Sequence, residues 1–526
     1  MKQLFIASII LIAFGSCTKD FQSTNQNPNQ ISDEMLKQDF NLVGSPFAGM
    51  LYELHGNQGS QTQEDLCYDS WMGFMNTPTP FTSNVNNTTY YVRWNSYWGR
   101  QYNNVMSPAR QVIRLAQENG LPMFATWAKL IRILSMSRVS AIHGPVIYSN
   151  YGSTAASILY DKESDLYRNF FAQLDTIQSE FNANKTYAGF AKFDPSFKGS
   201  IPAWMKVVNS VRLKLAMRVS KVDPVLAKAQ GEKALADAAG LIATNADNFN
   251  ISLLGNIMPV GMICFQWDDT RMGGPIESFM VGLKDGRISK YFSPVTDPSL
   301  YADHPTVPYK GIRNGAYLDA KIQRVPFSKV STDFNGVQTR RHITASEVAF
   351  LRAEAALRGW TGAGDAKTHY ENGVKLSFAD WGAGGVDSYL ADATSKPINY
   401  VDPIDSRNNF AATSSITVAW DEADSRELKL EKIITQKYLA TFTNTLEAWV
   451  DHRRTGYPKI PSAARNDSGD EWGVIPAGQF PKRWPFIAGE VTGNAAGVAD
   501  ALSKMGASKN DISTRLWWDT GVASNF

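Results

Sequence analysis

Two stretches of this sequence combine aromatic and polar side chains in segments that lack helical periodicity. They read DLCYDSWMGFMNTPTPF and MICFQWDDTRMGG, and a further candidate tyrosine lies in GRISKYF. Flat aromatic rings pack against the C–H faces of sugar rings, while carboxylate, amide and guanidinium groups bind the sugar hydroxyls. The predicted ligand-binding residues are therefore Trp71, Phe74, Phe81, Trp267, Asp268, Arg271 and Tyr291.

These aromatic residues also have a structural interpretation. Trp71 could fix its loop onto the core, and Tyr291 could pack against its local neighbours. Trp267 has the strongest case for ligand contact, because Gln266 and Asp269 add polar groups on either side of it. The sequence alone leaves both interpretations open.

The usual catalytic motifs are missing from the sequence. The six histidines form no HExxH pair, and there is no GxSxG nucleophile motif and no GxxxxGK[ST] phosphate loop. Glycoside hydrolysis needs only two carboxylates, for which Asp268 and Asp269 would be the first suspects. Adjacent side chains diverge in direction, however, so these two aspartates are more typical of a loop or turn. We predict a protein that is not an enzyme.

Metal and redox chemistry also have little support in the sequence. Cys67 and Cys264 could form one disulfide or remain as two buried free thiols. Asp467 and Asp470 in NDSGDEWG are loose candidates for a calcium ion, although their spacing is not that of an EF-hand. We predict no metal and no cofactor.

The charge balance argues against a nucleic-acid partner. The chain of 526 residues carries 52 basic and 50 acidic side chains, so its formal net charge is +2. Nucleic-acid binding requires a basic patch, and no block of Lys or Arg is present. The hydrophobic content of 43% and the aromatic content of 12% instead predict a folded globular protein.

The N-terminal segment has the pattern of an export signal. Lys2 precedes an apolar run at residues 4–14, which is shorter than the about 20 residues that a membrane-spanning helix needs. In FGSC, small residues precede Cys17 as in a lipoprotein signal, and lipid chains on this cysteine would anchor the protein. The alternative is a secretory signal that leaves Cys17 as a stray thiol. We predict a signal peptide at residues 1–16, a lipidated flexible tether at 17–30 and a single domain at 31–526.

Helical periodicity dominates the body of the chain. It predicts helices in YWGRQYNNVMSPARQVIRLAQENG, MFATWAKLIRILSMSRVSAI and IPAWMKVVNSVRLKLAMRVSKV. Another helix, in ITASEVAFLRAEAALRGW, is predicted to begin at Thr344 as its N-cap, with Glu347 three residues on, and to end before Gly359. Together with a helix in DAKTHYENGVKLSFADWG it resembles a tetratricopeptide unit. Segments 56–92, 253–342 and 455–526 are predicted to be long ordered loops, with short strands around 320–330.

Four blocks of the sequence, taken in order, resemble the SusD/RagB family. They read NSVRLKLAMRVS, ASEVAFLRAEAALRGW, YENGVKLSFADWG and ITQKYLATFTNTLEAWVDHRRTGYP, and the last is the most specific. The resemblance covers nearly the whole chain after the predicted signal. It implies a mostly α-helical fold, a SusD-like scaffold with tetratricopeptide-like helix pairs and long ordered loops. In the last block we predict a structural role for Trp449 and a buried or half-buried ion network of Asp451, Arg453 and Arg454.

The resemblance also implies a function. Members of this family are nutrient-binding outer-membrane lipoproteins of Bacteroidetes, held at the cell surface over a SusC-like TonB-dependent transporter. They capture glycans, or in some cases peptides, and deliver them without chemical change. We therefore expect a glycan-binding lipoprotein, with a peptide-binding RagB-like protein as the main alternative. A surface glycoside hydrolase and a purely structural lipoprotein are lesser alternatives.

Overall fold

The computed structural model describes residues 38–55, 61–80, 87–94, 96–469 and 471–526. The chain divides into two compact units, of which the first ends at Ser45 and the second spans Pro46–Phe526. In the first unit, a 3-10 turn at Gln38–Phe40 is followed by a short helix at Asn41–Gly44. None of the helices within the described ranges combines the length and the apolar character needed to span a bilayer. The predicted signal and tether at residues 1–30 lie outside these ranges.

The second unit is built mostly from α-helices, as predicted. Short helical turns and segments of π-helix, including Gln61–Tyr68, Tyr102–Met106 and Met262–Gln266, connect the longer ones. The shorter α-helices are Asp69–Trp71, Tyr97–Gln101, Pro259–Gly261, Ile288–Tyr291, Val386–Leu390 and Ala488–Gly493. The longer helices are α1 (Pro46–His55), α2 (Ser107–Glu118), α3 (Pro122–His143), α4 (Glu163–Ala183), α5 (Ile201–Arg218), α6 (Pro224–Ala236), α7 (Gly274–Gly282), α8 (Ala345–Leu357), α9 (Ala366–Trp381), α10 (Arg426–Ala440), α11 (Thr445–Thr455) and α12 (Ala495–Lys504).

The ends of α8 and α9 follow from the local sequence. Thr344 caps α8 as predicted, and its hydroxyl accepts a hydrogen bond from the Glu347 amide at 3.2 Å. Gly359 follows α8 with a φ of 69°, a left-handed conformation that glycine adopts without strain. Asp365 then caps α9, which ends at the left-handed Gly382. The two helices therefore meet through a short, sharply turned connection.

Consecutive helices pack in pairs, most extensively α8 with α9, α2 with α3 and α5 with α6. Within α8–α9, Gly373 lies directly against the ring of Phe350, and a Cβ there would come within 2.8 Å of that ring. Phe350 also meets Tyr370 edge-on, with 6.3 Å between the ring centroids. The close approach confirms the predicted tetratricopeptide-like pair.

Strands are few and short. β1 (Met75–Asn76) pairs with β3 (Arg271–Met272), and β2 (Phe249–Ser252) pairs with β4 (Thr339–Ile343), both antiparallel. The predicted strands around 320–330 are wrong, because this segment holds a 3-10 turn at Lys321–Arg324 and only an isolated bridge from Val330 to Phe292. This segment therefore forms no ladder of paired strand residues.

Buried ion pairs join α5, α8, α10 and α11. The Glu447 carboxylate on α11 lies 3.1 Å from Lys214 Nζ and 3.2 Å from Arg218 Nη2, both on α5. Lys214 Nζ also lies 3.0 Å from Glu347 on α8. The Glu347 carboxylate thus pairs with Lys214, while the Glu347 amide donates to the capping hydroxyl of Thr344.

The network continues through the last signature block. Asp451 accepts from Lys437 at 2.8 Å and from Arg454 at 3.0 Å, and Arg454 also binds Glu354 at 2.5 Å. Arg453 differs from the prediction, because it donates to backbone carbonyls, including that of Ala141, and lies over the buried Trp449 ring. We call the following eight residues the helix ion cluster: Lys214, Arg218, Glu347, Glu354, Lys437, Glu447, Asp451 and Arg454.

Candidate functional site

The structure brings the two aromatic-rich stretches together. The antiparallel pairing of β1 with β3 sets Met75 opposite Met272 and Asn76 opposite Arg271. Beyond the paired strands, the Thr79 hydroxyl donates a hydrogen bond to Asp269 Oδ1. Loops that are almost 200 residues apart in the sequence therefore form one surface.

Trp267 is the exposed aromatic residue of this surface. It follows the π-helical segment Met262–Gln266, and its amide donates to the Met262 carbonyl at 3.1 Å. The next residue, Asp268, has a φ of 57° and turns the chain sharply. The indole is 42% exposed, and within the described residues it makes no hydrogen bond and no ring contact. A flat apolar face is thus left open to solvent.

Ion pairs hold this loop in place from both sides. Asp268 lies 2.7 Å from Arg271 Nη2 and 2.8 Å from Lys329 Nζ. Lys321 Nζ donates to the Asp269 carboxylate at 2.6 Å and to the Trp267 carbonyl at 3.2 Å. We call Thr79, Trp267, Asp268, Asp269, Lys321 and Lys329 the Trp267 face.

The electrostatics around Asp268 do not suit the role of a general acid. Partial burial alone would raise the pKa of the Asp268 carboxyl, but Lys329 and Arg271 outweigh burial and lower it. A general acid needs the opposite, a carboxyl whose pKa is raised towards neutrality. Asp268 is therefore a charged hydrogen-bond acceptor on a surface that also carries the open Trp267 ring.

Arg271 is a supporting residue of this face. Its side chain is fully buried, and its guanidinium also donates to the carbonyls of Val325 at 3.0 Å and Thr270 at 2.7 Å. The structure thus gives Arg271 a role beneath Asp268 instead of the predicted direct ligand contact.

Three of the other predicted aromatic residues, Trp71, Phe74 and Tyr291, are fully buried. Trp71 packs against Trp449 and Trp484, each with 5.1 Å between ring centroids. Phe74 stacks on Tyr438 at 4.1 Å. The rings of these residues present no open face, so the packing interpretation replaces the ligand-binding one for Trp71 and Phe74.

Tyr291 receives the same correction. Its ring is buried and stacks on Phe442 at 4.6 Å, and its hydroxyl donates to the Leu439 carbonyl at 2.8 Å. Both its apolar and its polar parts are used by the core. The predictions for Phe81 and for the lipidated Cys17 fall outside the described residues and stay predictions.

The structure describes both thiol candidates and one of the two calcium candidates. Cys67 and Cys264 are both free and buried, so the disulfide alternative is wrong. Asp467 lies 2.8 Å from Arg465, while Asp470 is outside the described residues. The structure also contains a cluster of Glu277, Asp303 and His304, which no sequence pattern indicates.

That cluster already contains a cation. The Lys310 ammonium lies 2.9 Å from Glu277 and 3.3 Å from Asp303. His304 donates towards the same Glu277 carboxylate at 3.0 Å. The group therefore forms an ion cluster, buried except for Asp303, that ties its loop to α7.

Sequence reasoning missed the lysines of the Trp267 face. Lys321 and Lys329 lie in an irregular segment more than 50 residues after Trp267. No periodicity links them to that loop, and only a three-dimensional structure pairs them with Asp269 and Asp268.

Comparisons with known proteins match this architecture. A family model for SusD-like proteins, described as SusD and RagB outer-membrane lipoproteins, matches residues 23–519. A search among curated proteins returned no significant match. A chitin-binding SusD homologue from Flavobacterium johnsoniae is 37% identical, with a TM-score of 0.85, and the match covers 92% of this chain and 100% of that one.

Two further solved structures show the same fold. A SusD homologue from Bacteroides vulgatus is 30% identical over 92% of this chain and 99% of that one, with a TM-score of 0.84. Another from Bacteroides uniformis is 32% identical over 91% of this chain and 99% of that one, with a TM-score of 0.82. The resemblance read from the four sequence blocks is confirmed: this chain belongs to the SusD-like family of outer-membrane lipoproteins.

Proposed function

We propose that this protein is a glycan-binding lipoprotein of the cell surface, which captures an oligosaccharide and delivers it to a SusC-like TonB-dependent transporter. The observation that carries the proposal is the exposed Trp267 indole, which the fold does not use and which lies among polar side chains. The family and the chitin-binding Flavobacterium homologue support a sugar as the ligand.

The Trp267 face offers the two kinds of contact that a sugar ring needs. The negative face of the indole attracts the slightly positive C–H groups of the ring. Lys321 and Asp269 lie beside it, with a donor and an acceptor for hydroxyls, and Gln266 adds an exposed amide. A phosphate or another small anion would use the lysine alone and would leave the aromatic surface without a role.

Delivery rather than catalysis fits the charge state of this face. Asp268 is ionised and shared between two cations, so it has no proton to give to a leaving group. Lipid on Cys17 would keep the protein at the outer membrane, where a transporter can receive the captured glycan.

Titration calorimetry of the intact protein tests the ligand and the face together. The probes are chitohexaose, maltohexaose and a mixed tryptic peptide digest, and the variant is Trp267→Ala. The matched control is Trp420→Ala, because the Trp420 indole already donates to Glu422 at 2.8 Å and contacts Tyr370. We expect glycan binding that weakens about tenfold or more in Trp267→Ala and is unchanged in Trp420→Ala.

The other outcomes divide the proposal into parts. Binding of peptides but no glycan would favour the RagB-like alternative, and release of shorter sugars would favour a hydrolase. Equal glycan affinity in all three proteins would reject the Trp267 face as the site. For the anchor, Cys17→Ala should move the protein out of the membrane fraction and abolish incorporation of labelled palmitate.

A further inference from the structure

A second tryptophan, Trp472, resembles Trp267 in that its indole has no hydrogen-bond or ring partner within the described residues. Trp472 is half-buried, and within the described residues its indole makes no hydrogen bond and no ring contact. Its backbone is nevertheless fixed, because the Ile512 amide donates to its carbonyl at 2.7 Å. The backbone that carries the indole is thus fixed, while the ring itself has no hydrogen-bond or ring partner among the described residues.

This ring lines a cavity of about 550 Å³. The volume lies within the range of about 300–1,000 Å³ that is usual for ligand sites. Phe486, Val474 and Val491 supply the apolar part of the wall, and the two valines are 57% and 41% exposed. Glu471, Lys509 and Asp511 supply the polar part.

The wall of the cavity is preorganised. Asn510 accepts from the Phe486 amide at 2.8 Å and donates to the Phe486 carbonyl at 2.9 Å, which fixes two wall segments to each other. Gly473, with a φ of 94°, allows the chain to pass close to Asp511, since a Cβ there would lie 2.6 Å from the aspartate Cβ. A rigid pocket loses little entropy on binding.

Asp511 keeps one acceptor free. Its Oδ1 atom accepts from the amides and hydroxyls of Ser513 and Thr514, at distances between 2.9 and 3.0 Å. Its Oδ2 atom has no hydrogen-bond donor among the described residues. The pocket therefore combines an aromatic wall, exposed methyl groups and an open carboxylate oxygen.

Backbone hydrogen bonds connect this pocket with the loops of the Trp267 face. The Gly274 amide, just after β3, donates to the Ile312 carbonyl at 2.7 Å, and the Arg465 amide donates to the Gly315 carbonyl at 2.8 Å. The segment that contains Arg465 leads directly into the loop of Trp472. Both tryptophans thus belong to one connected system of ordered loops.

We propose that the Trp472 cavity is a second carbohydrate subsite, which accepts an N-acetylated sugar. The indole stacks on the sugar ring, the exposed valines receive the methyl group of the acetamido substituent, and Asp511 Oδ2 accepts its N–H. An unsubstituted glucose unit would leave the valines in contact with water. This inference rests on the proposed glycan-binding function and assigns a ligand class to a site separate from Trp267.

Fluorine NMR on the intact protein labelled with 5-fluorotryptophan tests the subsite directly. Substitutions Trp472→Phe and Trp267→Phe assign the two resonances. Chitohexaose is the probe, and cellohexaose is its matched control because it has the same β-1,4 backbone without acetamido groups. We expect chitohexaose to shift the Trp472 resonance saturably, also in a Trp267→Ala background, and cellohexaose to leave it unchanged.

The outcomes separate this inference from the proposed function. If chitohexaose shifts the Trp267 resonance and leaves that of Trp472 in place, the subsite is rejected and the function stands. If neither resonance moves with any glycan, both are rejected. Equal shifts with cellohexaose would reject the acetamido specificity. In calorimetry, Trp472→Ala should weaken chitohexaose binding about tenfold, while Trp472→Phe, which keeps a ring in place, should retain most of it.

Discussion

The helix ion cluster and the Trp267 face use the same chemistry at opposite degrees of burial. In the cluster, carboxylates of α8 and α11 meet lysine and arginine residues whose side chains are at most 11% exposed. In the face, Asp268, Lys321 and Lys329 are between 31% and 36% exposed. The first set of pairs fixes how helices meet, and the second only shapes a loop.

Burial decides this difference. A buried pair has given up its hydration, so that removal of one partner leaves an uncompensated charge in a poor solvent. A half-exposed pair regains water when it separates, and its net contribution is at most about 1 kcal/mol. Substitutions in the helix ion cluster should therefore lower the stability of the fold. Substitutions in the Trp267 face should change ligand binding while the protein stays folded.

The largest effect is expected from Glu447→Gln. This change leaves Lys214 and Arg218 buried without their shared carboxylate. We expect a loss of about 3–5 kcal/mol in the free energy of unfolding, measured by urea denaturation. Glu422→Gln is the matched control, because Glu422 pairs with Lys429 at 2.8 Å but is largely exposed, and it should leave the free energy of unfolding nearly unchanged. Equal costs in the two variants would contradict the argument from burial.

Acid should act on the same cluster. Burial alone would raise the pKa of Glu354, but Arg454 and Arg358 outweigh it and lower the pKa to about 2. A lowered pKa in the folded state stabilises the protein above the ordinary pKa of the carboxyl, and this stability is lost as the pH falls towards 2. We expect a decrease of about 3 kcal/mol between pH 6 and pH 2, measured by urea denaturation at each pH.

Glu354→Gln provides the control for this titration. The variant should be less stable than the native protein at pH 6 and should show a shallower fall with acid. Glu447, whose pKa Lys214 and Arg218 also hold well below its usual range against the opposing effect of burial, would then account for part of the remaining slope. A native protein whose stability did not change between pH 5 and pH 2 would rule out the cluster as its acid-sensitive element.

Sequence patterns predicted the cluster better than the face. The cap at Thr344, the stop at Gly359 and the pairing of α8 with α9 are local features, and they were readable from residues a few positions apart. The charges of Asp451 and Arg454 also lay within one signature block. Partners from other helices, such as Lys214, required the fold.

The face was only partly predictable because it depends on contacts between distant loops. Trp267 and Trp71 have similar local sequences, rich in aromatic and polar residues, yet one ring is open and the other is buried among Trp449 and Trp484. The difference arises because Trp71 ends a helical segment that packs against α11, whereas the left-handed turn at Asp268 follows Trp267 and leaves its ring exposed. Neither the packing of Trp71 against α11 nor the turn at Asp268 can be predicted from the local composition.

A smaller effect is expected from Asp268→Asn. Asparagine tolerates the left-handed φ of 57°, so the turn is kept while the charge that faces Arg271 and Lys329 is removed. We expect a loss of about 2 kcal/mol in stability, because the buried Arg271 loses its carboxylate but keeps the carbonyls of Thr270 and Val325. We also expect weaker glycan binding, since the loop is held less firmly.

High salt tests how much of the effect of Asp268→Asn on stability is electrostatic. In 1 M sodium chloride the stability difference from the native protein should shrink by the part that the exposed pair with Lys329 contributes, because exposed charges are screened over about 3 Å. Asp405→Asn, which removes the partner of the exposed Arg407, is the matched control and should change neither stability nor binding. A loss as large as that of Glu447→Gln would place Asp268 in the structural core instead of in the face.

The smallest effect on stability is expected from Trp267→Ala, the change that should affect binding most. The indole is 42% exposed and has no hydrogen bond or ring contact within the described residues, so its removal costs only the apolar area that the protein covers. We expect a loss of about 1 kcal/mol in the free energy of unfolding, from the part of the ring that the protein covers, together with the loss of affinity in calorimetry. Trp71→Ala, at a fully buried ring, should cost about 3–5 kcal/mol in the same denaturation experiment. If Trp267→Ala destabilised the protein to a similar extent, its effect on binding could be attributed to unfolding. Only a stable variant that has lost affinity establishes that the fold leaves this tryptophan free for a ligand.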